Sequence, residues 1–191
     1  LFRSNAGRDG RIGNMWPVRR VALPGSLLFF LIGPGLEAGV GPFVLTGWHA
    51  NPAPAVVRIV GAAAACAGLA VLVWCFARFV REGGGTPSPL APPTRLVVGG
   101  PYRWVRNPMY AATAALIIGQ GLLLAQPILF AAAAAYVIAL AALDRFVERP
   151  RLMERFGAQY AEYVRAVPGW IPWRRPWPRD QVSTRSGAFS G

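Results

Sequence analysis

The sequence predicts an all-α integral membrane protein, and three observations carry that prediction. Of the 191 residues 54% are hydrophobic and the mean hydropathy is positive, although the formal net charge is +12. The apolar residues gather into runs near 21–47, 55–79, 108–125 and 127–147, each close to the about 20 helical residues that cross a bilayer. The basic residues lie at or beyond the ends of these runs. No glycine-rich phosphate loop follows a strand-like segment, so no Rossmann domain is expected.

The arginines set the topology. Arg3, Arg8, Arg11, Arg19 and Arg20 precede the first run, Arg78, Arg81, Arg95, Arg103 and Arg106 lie between the second and third, and the rest follow from Arg145 onward. Of the 20 basic residues only Arg58 falls on the opposite side. This is the positive-inside pattern, and it places both termini and the central loop in the cytoplasm. The charge is then topological, and nucleic acid is not expected as a partner. Every basic residue is arginine, which suggests a GC-rich bacterial genome and hence a multi-pass protein of the inner membrane.

Residues 1–14 are polar and rich in glycine, serine and arginine, and are expected to be a disordered tail ahead of Met15, a candidate natural start; residues 15–178 then form a single membrane domain. The first span lacks a small-residue cleavage site, so it is not read as a signal peptide. It is interrupted by GPGLEAGVGP, where Pro34 predicts a kink. Glu37 within it is costly if it faces lipid, so it should face other helices or a cavity and hydrogen-bond inside the bundle. The short external connection GWHANPAP carries His49 as a solvated loop histidine.

The second span holds Cys66 and Cys75 on roughly opposite helix faces, so neither a disulfide nor a metal site is expected. The stretch REGGGTPSPLAPPTRLVVGG is too rich in glycine and proline for a helix and longer than an antiparallel helix pair requires, which marks it as a candidate lid. Spans three and four meet at Gln126 and Pro127, a tight helical hairpin. Gln120 and Tyr136 read as interhelical contacts, and the alanine runs at 62–65 and 131–135 as close helix packing. Near 149–166 Leu152, Phe156, Tyr160 and Val164 recur at helical spacing among charges, an amphipathic helix at the interface. Pro168, Pro172, Pro176 and Pro178 end it, Trp170, Trp173 and Trp177 suit the headgroup zone, and 179–191 form a second disordered tail.

The chemistry gathers at one membrane face. Tyr102, Arg103, Arg106, Asn107 and Tyr110 lead into span three, while Asp144, Arg145, Glu148 and Arg149 leave span four, and the hairpin puts both groups at the same cytoplasmic end. The arginines offer forked donors for a carboxylate or phosphate, Glu148 an acceptor for hydroxyls or a counter-charge for a cation, and the tyrosines flat faces with polar tips. Residue type alone favours headgroup contacts and surface pairs at helix ends.

GGPYRWVRNPMY, an apolar hairpin and then ERPRLMERFGAQYAEYVRAVPGWIP together resemble the isoprenylcysteine carboxyl methyltransferase and phospholipid methyltransferase superfamily. The likeness covers most of residues 30–173. It implies S-adenosylmethionine as cofactor, bound at the cytoplasmic membrane surface without a Rossmann domain, and a lipid-like or lipophilic small-molecule acceptor reaching it from the bilayer. Carried over by position, Arg106, Pro108 and Tyr110 match the family's arginine, proline and tyrosine, Gly100, Pro101, Tyr102 and Arg103 match its opening, and Glu148 matches the first acid of its acidic pair. The resemblance thus implies catalytic roles for Arg106, Glu148 and Arg103, and cofactor contacts for Gly100, Pro101, Tyr102, Asn107, Pro108, Tyr110 and Tyr160, with membrane lipids as surroundings and no metal.

Two positions depart from the family pattern. Asn107 stands where a histidine is usual, and Arg149 where a second glutamate is usual. Two other classes remain open on these residues: a non-catalytic bundle that keeps the motif to bind a headgroup, and a nicotinamide-dependent membrane reductase with a similar ending. The reductase would want more spans and more basic contacts.

Overall fold

Proline and glycine set the boundaries of the helices. The computed structural model describes residues 33–82, 96–172 and 176–178, and among these no strand occurs. The expected tails, the first part of the first span, the body of the candidate lid and Trp173 lie outside the described residues. A π-helical turn, Leu36–Val40, leads into α1, Gly41–Thr46. Then come α2, Ala55–Glu82, a 3-10 turn at Gly100–Arg103, α3, Pro108–Leu124, and α4, Pro127–Leu143. A second π-helical turn, Asp144–Glu148, continues directly into α5, Arg149–Ala166.

The turn preceding Pro34, where a kink is expected, lies outside the described residues, and the first π-helical turn comes after it. The Gly41 N–H reaches back to the Leu36 carbonyl, five residues away, just before Pro42, which has no N–H to give. Widening the helix by one residue here sets Glu37 toward α4, whose Tyr136 hydroxyl donates to the Glu37 carboxylate at 3.0 Å.

Among the described residues two helices are long and apolar enough to cross a membrane, Ala55–Arg78 and the continuous helix Pro127–Ala166. In their most apolar stretches only 22% and 17% of residues are buried within the protein, whereas a core helix of a soluble domain would be mostly covered. Val56, Ile59, Val60, Val73, Trp74 and Ile138 point outward instead. Helix α3 is shorter, with 17 residues, or about 25 Å.

Helices α2 and α3 pack through small residues. A Cβ added at Gly68 would lie 2.8 Å from the Ala112 carbonyl, and one at Gly119 2.8 Å from the Gly61 carbonyl, so the backbones touch at two levels. The other end of α3 closes as a Schellman motif: Ala125 takes a left-handed φ of 51°, and the Gln126 N–H bonds to the Gly121 carbonyl at 2.9 Å. Pro127 then starts α4, so the hairpin expected at Gln126 and Pro127 is present. Asn51 and His49 tie to this hairpin through Asn51 N–H to Leu124 O, 2.9 Å, and Gln126 Nε2 to His49 O, 2.8 Å. Gln120 donates to the Ala38 carbonyl at 2.8 Å, an interhelical contact as expected.

At the opposite end, Val98, Tyr160, Tyr163, Val167 and Trp177 form one apolar cluster. Trp177 is buried in it, 9% exposed, edge-on to Tyr163, rather than lying in the headgroup zone as its sequence context suggested. The arginine neighbours hid an anchoring role, because the Trp177 N–H and carbonyl both pair with Arg103. The amphipathic helix expected near 149–166 is α5, broken at Gly157, where φ is 49° and ψ is −126°.

Candidate functional site

The 3-10 turn brings the polar motif to the start of α3. Gly100 sits at φ +57°, and a Cβ there would meet the Arg78 side chain of α2 at 2.9 Å, so the turn passes α2 closely because this residue is glycine. Pro101 and Tyr102 are buried behind it, with Tyr102 packed beside Cys75 and Val97. The Tyr163 hydroxyl of α5 donates to the Tyr102 carbonyl at 2.7 Å, which ties the turn to α5. Arg103 faces Trp177: its Nε donates to the Trp177 carbonyl at 2.6 Å.

Arg106 and Asn107 are held by backbone. Their N–H groups donate to the carbonyls of Pro168, 2.8 Å, and Gly169, 3.1 Å, so the segment after α5 is clasped against the entry to α3. Gly169 permits this approach, since a Cβ on it would lie 3.1 Å from Arg106 Nη2. Pro108 occupies the first turn of α3, where its missing N–H costs nothing, and is fully buried. Asn107 is the N-cap, yet its side chain makes no capping hydrogen bond.

Four buried nitrogen donors at this end lack an acceptor among the described residues: Arg106 Nε and Nη1, Asn107 Nδ2 and Arg149 Nε. A buried donor left unpaired costs about 1–3 kcal/mol, so a group of them is expected to meet a ligand. The Tyr160 hydroxyl lies close enough to feel the charges of both Arg106 and Arg149, which places the two guanidinium groups near one tyrosine. Arg149, the charge-reversing departure from the family pattern, therefore belongs to this donor group.

The two sides of the hairpin meet directly. Tyr110, in the first turn of α3, donates its hydroxyl to Glu148, at the end of the second π-helical turn. Burial pushes the Glu148 carboxyl above its usual range, and Asp144 adds to the rise, while the Tyr110 hydrogen bond and Arg151 oppose it. Trp170 stacks on Tyr110, with ring centroids 6.1 Å apart and planes 28° apart. Forked donors, a carboxylate and a flat aromatic pair thus gather at the end of the bundle, a set suited to a ligand with an anionic end, hydroxyl or amino groups and a planar ring.

The structure brings Arg106, Asn107, Tyr110, Glu148 and Tyr160 together, with Gly100, Pro101, Tyr102 and Pro108 as the frame beneath them and Arg103 committed to Trp177. Sequence reasoning passed over Pro168, Gly169 and Trp170 as parts of the site. The run VPGW carried a signal, a glycine between proline and an aromatic, but its partner lies far away in the chain.

The described residues form an all-α protein with two candidate membrane-spanning helices and a cluster of polar side chains at one end of a helical hairpin. Residues 56–159 match the phospholipid methyltransferase family, more than half of the chain, and the protein belongs to that family, part of a superfamily of membrane methyltransferases. The matched stretch covers Gly100 to Glu148 and ends just before Tyr160. No curated protein and no solved structure gives a significant match.

Proposed function

We propose that the protein is a multi-pass membrane methyltransferase that uses S-adenosylmethionine to methylate a lipophilic acceptor, in the manner of isoprenylcysteine carboxyl methyltransferases. The observation that carries this reading is the set of unpaired donors on Arg106, Asn107 and Arg149 beside the Tyr110–Glu148 junction. These residues fit the cofactor: a carboxylate for the donors, amino and hydroxyl groups for Glu148, and a ring for Tyr110 and Trp170. When bound, the cofactor supplies a methyl group on a positively charged sulfur, which transfers by in-line displacement.

In such a reaction alignment and exclusion of water provide much of the rate enhancement. Arg106, beside Tyr160, and Asn107 would hold the anionic end of the donor, and Arg149 adds a donor for the same end or for an anionic acceptor. Glu148, fixed by Tyr110, holds hydroxyl or amino groups. Trp170 and the backbone clasp at Pro168 and Gly169 cover the site, and Arg103 secures the chain behind it. Asn107 cannot take up a proton near neutrality, so an acceptor that is already anionic, such as a carboxylate, suits this chain.

Four spans, both termini cytoplasmic and a single domain over 15–178 in a bacterial inner membrane complete the proposal, supported by the arginine distribution. Calorimetry in detergent with S-adenosylmethionine, its demethylated product and NADPH tests it. Binding of the first two and not of NADPH is expected. Folded protein that binds neither, or that binds NADPH instead, overturns the reading.

A further inference from the structure

Deeper in the bundle than the Tyr110–Glu148 junction lies a cavity of about 430 Å³, bounded by the first π-helical turn and α1 on one side and by α3 and α4 on the other. Its volume lies in the range of roughly 300–1,000 Å³ usual for small-molecule sites. Pro42, Leu45, Ile117 and Ala135 make its walls apolar, and Glu37 and Tyr136 put two polar groups among them. The Tyr136 hydroxyl donates to one Glu37 oxygen at 3.0 Å and also interacts with Thr113, one turn along α3 from Tyr110.

An acidic side chain at this depth is costly to keep, and a bundle needing only shape would carry an apolar residue there. Glu37 is not packed away but exposed, at the wall of the cavity. Tyr136 engages one of its oxygens and leaves acceptor capacity for another donor. A helical π-bulge is the local feature that sets it there, and such bulges are frequent at functional sites.

We infer that this cavity takes the apolar chain of the methyl acceptor, and that Glu37 with Tyr136 selects a chain bearing a hydrogen-bond donor, a hydroxyl or an amine N–H. That donor lies one to two helical turns, roughly 5–10 Å, from the group to be methylated. The inference rests on the reading of the Tyr110–Glu148 junction as the transfer site. It concerns a part of the substrate that no residue of that junction touches.

The test uses full-length protein in lipid nanodiscs and two photoreactive probes, a dodecanol and the matching dodecane, each with a mid-chain diazirine, with the labelled peptides identified by mass spectrometry. The alkanol should label α1 and the 132–139 stretch of α4 about fivefold more than the alkane, a preference equivalent to about 1 kcal/mol. Ala135→Phe should abolish this labelling by filling the cavity, and Glu37→Leu should keep the labelling but remove the preference. Equal labelling by the two probes in wild-type protein, or labelling spread evenly over α2 and the outer faces, overturns the inference without needing either variant to fold. Because the readout involves no cofactor, failure of the methyltransferase reading would appear separately, as loss of S-adenosylmethionine binding with labelling unchanged.

Discussion

Arg106 is where side-chain chemistry and chain path meet: its N–H fastens the segment after α5, while two of its guanidinium nitrogens stay buried and unpaired. Arg106→Ala removes the donors and keeps the backbone bond. Hydrogen bonds to charged groups are worth about 1.5–3 kcal/mol, so binding of the demethylated cofactor should weaken roughly 10- to 150-fold by calorimetry, with helicity unchanged. Glu148 gives a second prediction, with its sign fixed by burial. Its folded carboxyl is raised above the ordinary value of 4.5, so its neutral form favours the fold at low pH and that contribution fades as pH rises through the folded value. Glu148→Gln copies the neutral form: its melting temperature should match wild type at or below about pH 4, exceed it by a margin that grows as pH rises through the folded value and level off above it, while cofactor binding is lost. A wild-type protein that gains on the glutamine variant with rising pH would refute the assignment. Arg106, Asn107, Tyr110 and Glu148 were legible in the sequence because each sits in a short motif at a helix end. Trp170 was not, since its partner Tyr110 is distant in the chain and only the backbone clasp brings them together.

Helix boundaries were readable for the same local reason, with Pro108 and Pro127 starting α3 and α4 where the apolar runs predicted. The π-helical turns were not, because they arise from how the proline after each, Pro42 and Pro150, is accommodated within a continuing helix. Within α5, Gly157 has open space around its Cα and a backbone conformation that L residues rarely adopt. Gly157→Ala therefore probes the backbone alone: it should destabilise the protein by about 1–3 kcal/mol in thermal unfolding, or straighten α5 and pull Tyr160 away from Arg106. The α2–α3 contact tests packing instead. Gly119→Val would drive a side chain into the Ala65 and Gly61 backbones, which cannot relax as a flexible side chain would, and a loss of at least about 3 kcal/mol or failure to fold is expected.

At the scale of the whole molecule, the arginines and the outward apolar faces act together. Two helices qualify as spans on length and composition, and the proposed topology adds α3 and the segment ending at Thr46 as shorter partners that need α2 and α4 beside them. Helix α3 can be short because it is the most enclosed helix: Ala112, Thr113, Ala114, Ile117 and Gln120 are all buried, so its neighbours, not lipid, satisfy it. That arrangement fixes which loops share a side. The connection at 47–54 and the Ala125–Gln126 turn are hydrogen-bonded to each other and must lie together, while α5 must lie opposite, with the 3-10 turn. Single cysteines introduced by Ala50→Cys or Glu154→Cys, with Cys66 and Cys75 replaced by serine, convert this into a measurement. A membrane-impermeant maleimide applied to spheroplasts should modify the first and spare the second, and inside-out vesicles should reverse the result. Modification of both from one side would refute the proposed topology, and with it the placing of the Arg106–Glu148 site on the cytoplasmic face.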